Sequence, residues 1–121
     1  AEAAALLALV DEKAILEIKE LASLAGLSLR DAKQYLEAFE KREEVFVVAY
    51  DFAASAKEIA RAHKILGKLW QSKRDISPSD FREAMQISRK YIMALLSFFD
   101  DRQVTRRVGN GRMLLKAPKA D

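Results

Sequence analysis

The 121-residue sequence predicts a mainly α protein with small β-hairpins, built from two copies of one small fold. Three observations carry that prediction. Displaced by 60 residues, the sequence matches itself weakly but without a break: Leu21 falls on Phe81, Leu27 on Ile87, Ser28 on Ser88, Leu36 on Leu96 and Phe39 on Phe99. In both copies a serine after a short turn opens an amphipathic helix, so two helices meet around a tight corner. After the second such helix comes a β-branched, arginine-bearing run closed by Gly109-Asn110-Gly111, a hairpin signal. Helix-turn-helix followed by a hairpin is a winged helix. The expected architecture is two tandem winged-helix (helix-turn-helix) domains, residues 1–54 and residues 55–121.

In the first copy, Glu2 to Val10 reads as a helix with Leu6, Leu9 and Val10 on one face. Ala14 to Ile18 alternates as a short strand does, or opens the next helix. Lys19 to Ala25 is helical and stops at Gly26, which can take the left-handed conformation that ends a helix. Ser28 with Asp31 forms a capping box for a longer helix that buries Ala32, Leu36 and Phe39. Val45 to Tyr50 is a strand by composition. Its hairpin partner around Asp51 to Ala54 lacks turn glycines, so this wing is expected to be small or degenerate.

In the second copy, Ser55 with Glu58 opens a helix to about Ser72, with Ile59, Ala62, Leu66, Leu69 and Trp70 facing inward. Ser77-Pro78-Ser79-Asp80 gives another capping box, with proline at the first helical position. Phe81, Ala84 and Met85 form the buried face of that short helix. Ser88 caps the recognition helix, whose inward residues are Ile92, Leu95, Leu96 and Phe99. Val104 enters the wing, and the Gly-Asn-Gly run supplies positive-φ residues for its turn.

Composition narrows the function. Absence of cysteine excludes disulfides and thiolate metal sites, and no apolar run is long enough for a membrane span. The alanine-rich start lacks a signal peptide's basic flank, and a cytoplasmic protein is expected. A chain that opens on alanine rather than Met is expected to be processed or excised from a longer protein. The net charge of +3 is divided: residues 1–54 hold eleven acidic and six basic side chains, residues 55–121 seven acidic and fifteen basic. Only the second half is therefore expected to meet a polyanion.

Catalysis has little support. His63 is the single histidine and lies on the inward side of a helix, where a packing role is expected rather than general-base work. No triad, metal-ligand spacing or phosphate loop is present, so no catalytic, cofactor-binding or metal residues are expected. Binding has better support. The start of the recognition helix presents backbone N–H groups to an anion, and Arg89 and Lys90 add charge there. Tyr91 can stack on a base or pack inward. Arg106, Arg107 and Arg112 surround the wing turn, with Arg106 and Arg107 on opposite faces of the strand. The first copy has Leu29-Arg30-Asp31 and Phe46-Val47 at the matching positions, keeping the scaffold and losing most of the cationic tip. It reads as a spacer or docking domain.

The pattern Phe81-Arg82, Ser88-Arg89-Lys90-Tyr91, Leu95-Leu96, Phe99-Asp100, Thr105-Arg106-Arg107-Val108-Gly109 and Arg112-Met113-Leu114 resembles the C-terminal winged helices of the bacterial selenocysteine-specific elongation factor, SelB. The motif covers about 35 residues of the second copy; the first fits by architecture alone. The resemblance implies a monomeric RNA-binding fragment that recognises the selenocysteine insertion hairpin in mRNA, with the ribosome as a candidate second partner. It further implies that GTP and Mg belong to a GTPase domain outside this chain. Ser88, Arg89, Lys90, Tyr91, Arg106, Arg107 and Arg112 are the expected RNA-binding residues. A-form RNA has a major groove too narrow for a helix, so loop phosphates and unpaired bases are the expected targets. A DNA-binding transcription regulator and a protein-interaction module remain as alternatives.

Overall fold

The computed structural model describes residues 1–119. The chain is mainly helical with small antiparallel sheets, and it divides into two compact units, Ala1–Ile59 and Ala60–Asp121. The division falls in the first turn of a long helix.

In the first unit the order is α1 (Glu2–Lys13), β1 (Ile15–Glu17), α2 (Ile18–Ala25), α3 (Leu29–Lys41), β2 (Val45–Val48) and β3 (Phe52–Ser55). Helix α1 buries Leu6 and Val10 and ends at Ala14, whose N–H bonds to the Val10 carbonyl from a positive φ of 68°. Strands β2 and β1 both pair antiparallel with β3, giving the sheet order β1-β3-β2 with Leu16 opposite Ala53. Leu6, Val10, Leu16, Leu21, Leu36 and Phe39 form one core cluster under that sheet. The α2–α3 corner follows from two local features. Gly26 takes the left-handed conformation that closes α2, and the Ser28 hydroxyl accepts the Asp31 N–H at 3.1 Å to open α3.

The second unit contains most of α4 (Ala56–Ser72), then α5 (Pro78–Met85), α6 (Arg89–Asp101), β4 (Thr105–Val108) and β5 (Gly111–Leu114). Ile76 makes an isolated bridge with Arg112, bonding in both directions, where the first unit has a full third strand. The Ser77 hydroxyl and the Asp80 carboxylate complete the reciprocal capping box expected at α5. Phe81, Met85, Ile92, Leu95, Leu96 and Phe99 are buried, as are Ala62 and Leu66 of α4.

The repeat is visible residue by residue. Helix α5 begins 60 residues after α2, α6 60 after α3, and β4 60 after β2. The offset falls to 59 at β5, because three residues join β2 to β3 and two join β4 to β5. Backbone specials repeat too: Gly26 and Gln86 are both left-handed, as are Glu43 and Gln103.

Four expectations need correction. The first hairpin is not small; its strands have the same four-residue length as those of the second. It turns without glycine because Ala49 and Tyr50 themselves take positive φ, 49° and 67°. In the second hairpin only Gly109 has positive φ, while a Cβ at Gly111 would meet the Asp75 carboxylate, which would have to swing aside. Ala84 is exposed rather than buried, since the eight-residue α5 presents only the Phe81–Met85 edge to the core. Finally, Ser88 occupies the N-cap position with extended backbone, but its side chain makes no capping bond.

Candidate nucleic-acid interface

The start of α6 presents a different end from that of α3. Tyr91 and Ile92 direct their N–H groups to the Ser88 carbonyl, and no side chain caps the turn. Arg89 and Lys90 are exposed and Tyr91 is half-buried, with the Lys90 ammonium 5.1 Å from the Tyr91 ring centroid. Arg89 has no hydrogen-bond or ion-pair partner among the described residues. The first turn of α6 thus carries two cations, no acidic side chain and the positive end of the helix dipole.

Strand alternation sorts the hairpin arginines. Arg107 pairs with Arg112 and Thr105 with Leu114, which puts Thr105, Arg107 and Arg112 on one face. Arg106 and Met113 lie on the other face, where the Arg106 guanidinium bonds the Met113 sulfur at 3.2 Å. Arg107 folds over the turn, donating from Nε to the Gly109 carbonyl at 2.9 Å.

Arg112 departs from the expectation. It is 4% exposed, and its Nε donates to both Asp100 carboxylate oxygens at 3.0 Å. Its remaining contacts run to the Gly111 and Asn110 carbonyls. The guanidinium is bonded within the hairpin and only its edge reaches the groove, unlike the exposed Arg106 and Arg107. The Thr105 hydroxyl donates to the same carboxylate at 2.7 Å.

A groove of about 410 Å³ runs between these elements. Its walls are Ser77, Pro78 and Ser79 at the start of α5, Arg89 and Met93 of α6, and Arg107, Asn110 and the edge of Arg112 in the hairpin. Arg89 and Arg107 therefore face one space from two elements, whereas Lys90 and Arg106 lie outside it. The α5 residues were not expected in a site, although the Ser-Pro-Ser-Asp cap that fixes them is legible in the sequence. Asp80, which bonds the Ser77 N–H and pairs with Lys73 at 3.0 Å, has its carboxyl held below the usual range, first by Ser77 and then by Lys73. A second, shallower depression of about 520 Å³ touches Ser88 but is lined by both Arg82 and Glu83.

The first unit differs at the matching place. Its cleft of about 190 Å³ mixes Glu17 and Asp51 with Lys19 and Lys33, beside exposed Leu29 and Tyr50. Tyr35 of α3 donates to the Glu2 carboxylate at 3.0 Å, and that bond raises the tyrosine above its ordinary pKa.

His63 packs against Phe99 with ring centroids 5.7 Å apart, and its Nε2 lies 2.8 Å from the Lys116 carbonyl, which suits a framework role. Among the described residues no cluster of three or more His, Cys, Asp or Glu is placed to hold a metal, and no helix is long and apolar enough to cross a membrane.

Residues 68–114, containing both the groove and the hairpin, match the family model described as elongation factor SelB, winged helix. The matched residues fall within the second unit. The matched segment is a winged helix. Beyond it, the chain is 22% identical over 91 residues to the selenocysteine-specific elongation factor of Desulfomicrobium baculatum, an alignment covering 75% of this chain and 14% of that protein. The chain thus spans about a seventh of that relative's length. Among solved structures, it is similar to the mRNA-binding domain of elongation factor SelB from E. coli, determined in complex with SECIS RNA. That likeness has a TM-score of 0.82 and 20% identity, covering 95% of this chain and 98% of the other. It is also similar to a bacterial selenocysteine-specific elongation factor, with a TM-score of 0.76 and 20% identity over 95% of this chain and 18% of that one. The resemblance to SelB winged helices expected from the sequence is thereby borne out.

Proposed function

We propose that this chain is an mRNA-binding fragment of a selenocysteine-specific elongation factor, acting in the cytoplasm as a monomer. On this reading it is a tandem of winged helices, residues 1–54 and 55–121, of which the second binds the selenocysteine insertion hairpin. The observation that carries the reading is the groove in which Arg89 of α6 and Arg107 of the hairpin face each other, inside the segment that matches the SelB winged helix.

Arg89 and Arg107 bind phosphates that pass along the groove, since a guanidinium can bond phosphate in a bidentate manner. Lys90 and the uncapped Ser88 turn extend the cationic surface, and Tyr91 offers an aromatic edge for an unpaired base. Arg106, on the other face, reaches a different part of the hairpin backbone. Arg112 supports these residues from within. The GTP and Mg chemistry of the whole factor belongs to a domain outside this chain, and the first unit serves as spacer or docking domain, with the ribosome as its candidate partner.

The test is a titration of the chain with a selenocysteine insertion hairpin, with the same sequence as duplex DNA, and with an unrelated RNA hairpin. The expected result is preference for the first. Equal affinity for all three ligands contradicts hairpin-specific recognition, and a preference for the DNA duplex favours a transcription regulator.

A further inference from the structure

Arg112 is the most deeply buried charge in the hairpin, and it does more there than fill space. Its backbone exchanges hydrogen bonds with Ile76 at 2.8 and 3.0 Å, which fixes one edge of β5. Its guanidinium bonds both oxygens of Asp100, the penultimate residue of α6, and Thr105 at the base of β4 bonds the same carboxylate. Both strands of the hairpin are therefore tied to a single carboxylate on the recognition helix. Arg107 is the strand partner of Arg112 and projects from the same face, so the tie sets where Arg107 stands relative to Arg89. The first unit has no such arrangement. Glu40, Val45 and Ala53 occupy the three matching positions, and Glu40 accepts the Val47 N–H at 2.9 Å instead. The two units share a fold, so the tie is not required to form it.

We infer that Arg112 and Asp100 are positioning residues for RNA binding: they hold the hairpin on α6 so that Arg107 faces Arg89 across the groove before RNA arrives. The inference rests on the RNA-binding reading above. An arginine already placed loses less freedom on binding than one carried by a loose hairpin.

The experiment compares wild type with Arg112→Met and with the double variant Asp100→Asn/Arg112→Gln. The second removes both charges and keeps polar groups, so no carboxylate is left buried alone. Thermal unfolding selects a temperature at which each is folded, and affinity for the hairpin RNA is then measured across a range of salt concentrations. The expected result is a loss of roughly tenfold, the size of losing pre-order in two long side chains. The salt slope stays at the wild-type value, because no phosphate contact is removed. In an Arg106→Ala/Arg107→Ala background the same change is expected to cost less than about twofold, as the residues it positions are gone.

Unchanged affinity overturns the inference. A salt slope reduced by about one phosphate contact overturns it too, since Arg112 would then touch RNA directly. An undiminished loss in the Arg106→Ala/Arg107→Ala background assigns the effect to the fold as a whole and not to the hairpin. Amide hydrogen exchange of the free protein separates failure of this inference from failure of the RNA reading. If wild type does not bind the hairpin, faster exchange at Arg106 to Val108 in the variants, with α5 unaltered, still supports a positioning role, and unaltered exchange overturns it.

Discussion

The two hairpins share a backbone and part company in their side chains. Strands β2 and β4 are equally long and begin 60 residues apart, and each follows a helix that ends at an arginine of nearly identical backbone angles, Arg42 and Arg102. Yet Val45 is replaced by Thr105, Phe46 by Arg106, Val47 by Arg107 and Ala53 by Arg112. Two of these replacements put charge outside. The other two, Thr105 and Arg112, are buried and converge on Asp100. The difference teaches that making a wing cationic takes an internal change as well as an external one. On the proposed reading, the arginines at the tip act as a pair because the strands that carry them are held in a fixed place.

The helix starts show the same division. Ser28 caps α3 with its hydroxyl and has Asp31 in the first turn, an arrangement that repels phosphate. Ser88 leaves α6 uncapped by any side chain, with Arg89 and Lys90 in the first turn. In the first unit the helix end is satisfied by its own chain, and in the second no side chain caps it.

The comparison can be broken most forcefully at the second hairpin. Arg106→Ala with Arg107→Ala is expected to weaken hairpin RNA binding by about 30-fold or more, at about 1–3 kcal/mol for each charged contact. The salt slope is expected to flatten in the same measurement. Unchanged binding in that double variant removes the wing from the interface. A transfer in the opposite direction is expected to give less. Phe46→Arg with Val47→Arg places guanidinium groups on the first hairpin without the Asp100–Arg112 tie. Its gain in affinity should stay below roughly tenfold, the range of unordered surface charge. A gain equal to the loss in the first experiment argues that external charge alone suffices.

Stability offers a smaller effect. Asp80→Asn weakens the α5 capping box, with an expected loss near 1 kcal/mol in denaturant unfolding. Its carboxyl is held below 3.8 in the folded chain, first by the Ser77 N–H and then by Lys73. A depressed folded value means that the contribution is complete above the unfolded carboxylate range and is lost as pH falls through the lowered value. Wild type should therefore lose more stability than Asp80→Asn between pH 5 and pH 2, by a small margin because the group is only partly buried. The smallest expected change is that of Arg30→Ala at the matching first-unit helix, less than about twofold in RNA affinity.

Much of this was legible in the sequence because it depends on local rules. Helix starts at Ser28 and Ser77 follow from hydroxyl and carboxylate spacing, and the buried faces of α3 and α6 follow from helical periodicity. The 60-residue repeat held because core residues are constrained in both copies. What was not legible depends on contacts between distant positions. Nothing near Arg112 announces that Asp100, twelve residues earlier, lies within 3.0 Å of it, so the burial and internal bonding of this wing arginine could not be read. Gly111 looked like a positive-φ turn residue and instead lies in β5 with the Asp75 carboxylate against it. The first hairpin looked degenerate for want of glycine, but Ala49 and Tyr50 accept positive φ at some local cost. Ser79 and Met93 entered the site only when α5, α6 and the hairpin were seen around one groove.

The most direct measurement is a two-dimensional amide NMR titration of the 121-residue chain with the selenocysteine insertion hairpin. Shifts and broadening concentrated at Ser88 to Tyr91 and at Thr105 to Arg112, with the matching Ser28 to Asp31 and Val45 to Ala53 signals unmoved, are the predicted result. Equal perturbation of both sets, or perturbation of the first unit alone, contradicts the account.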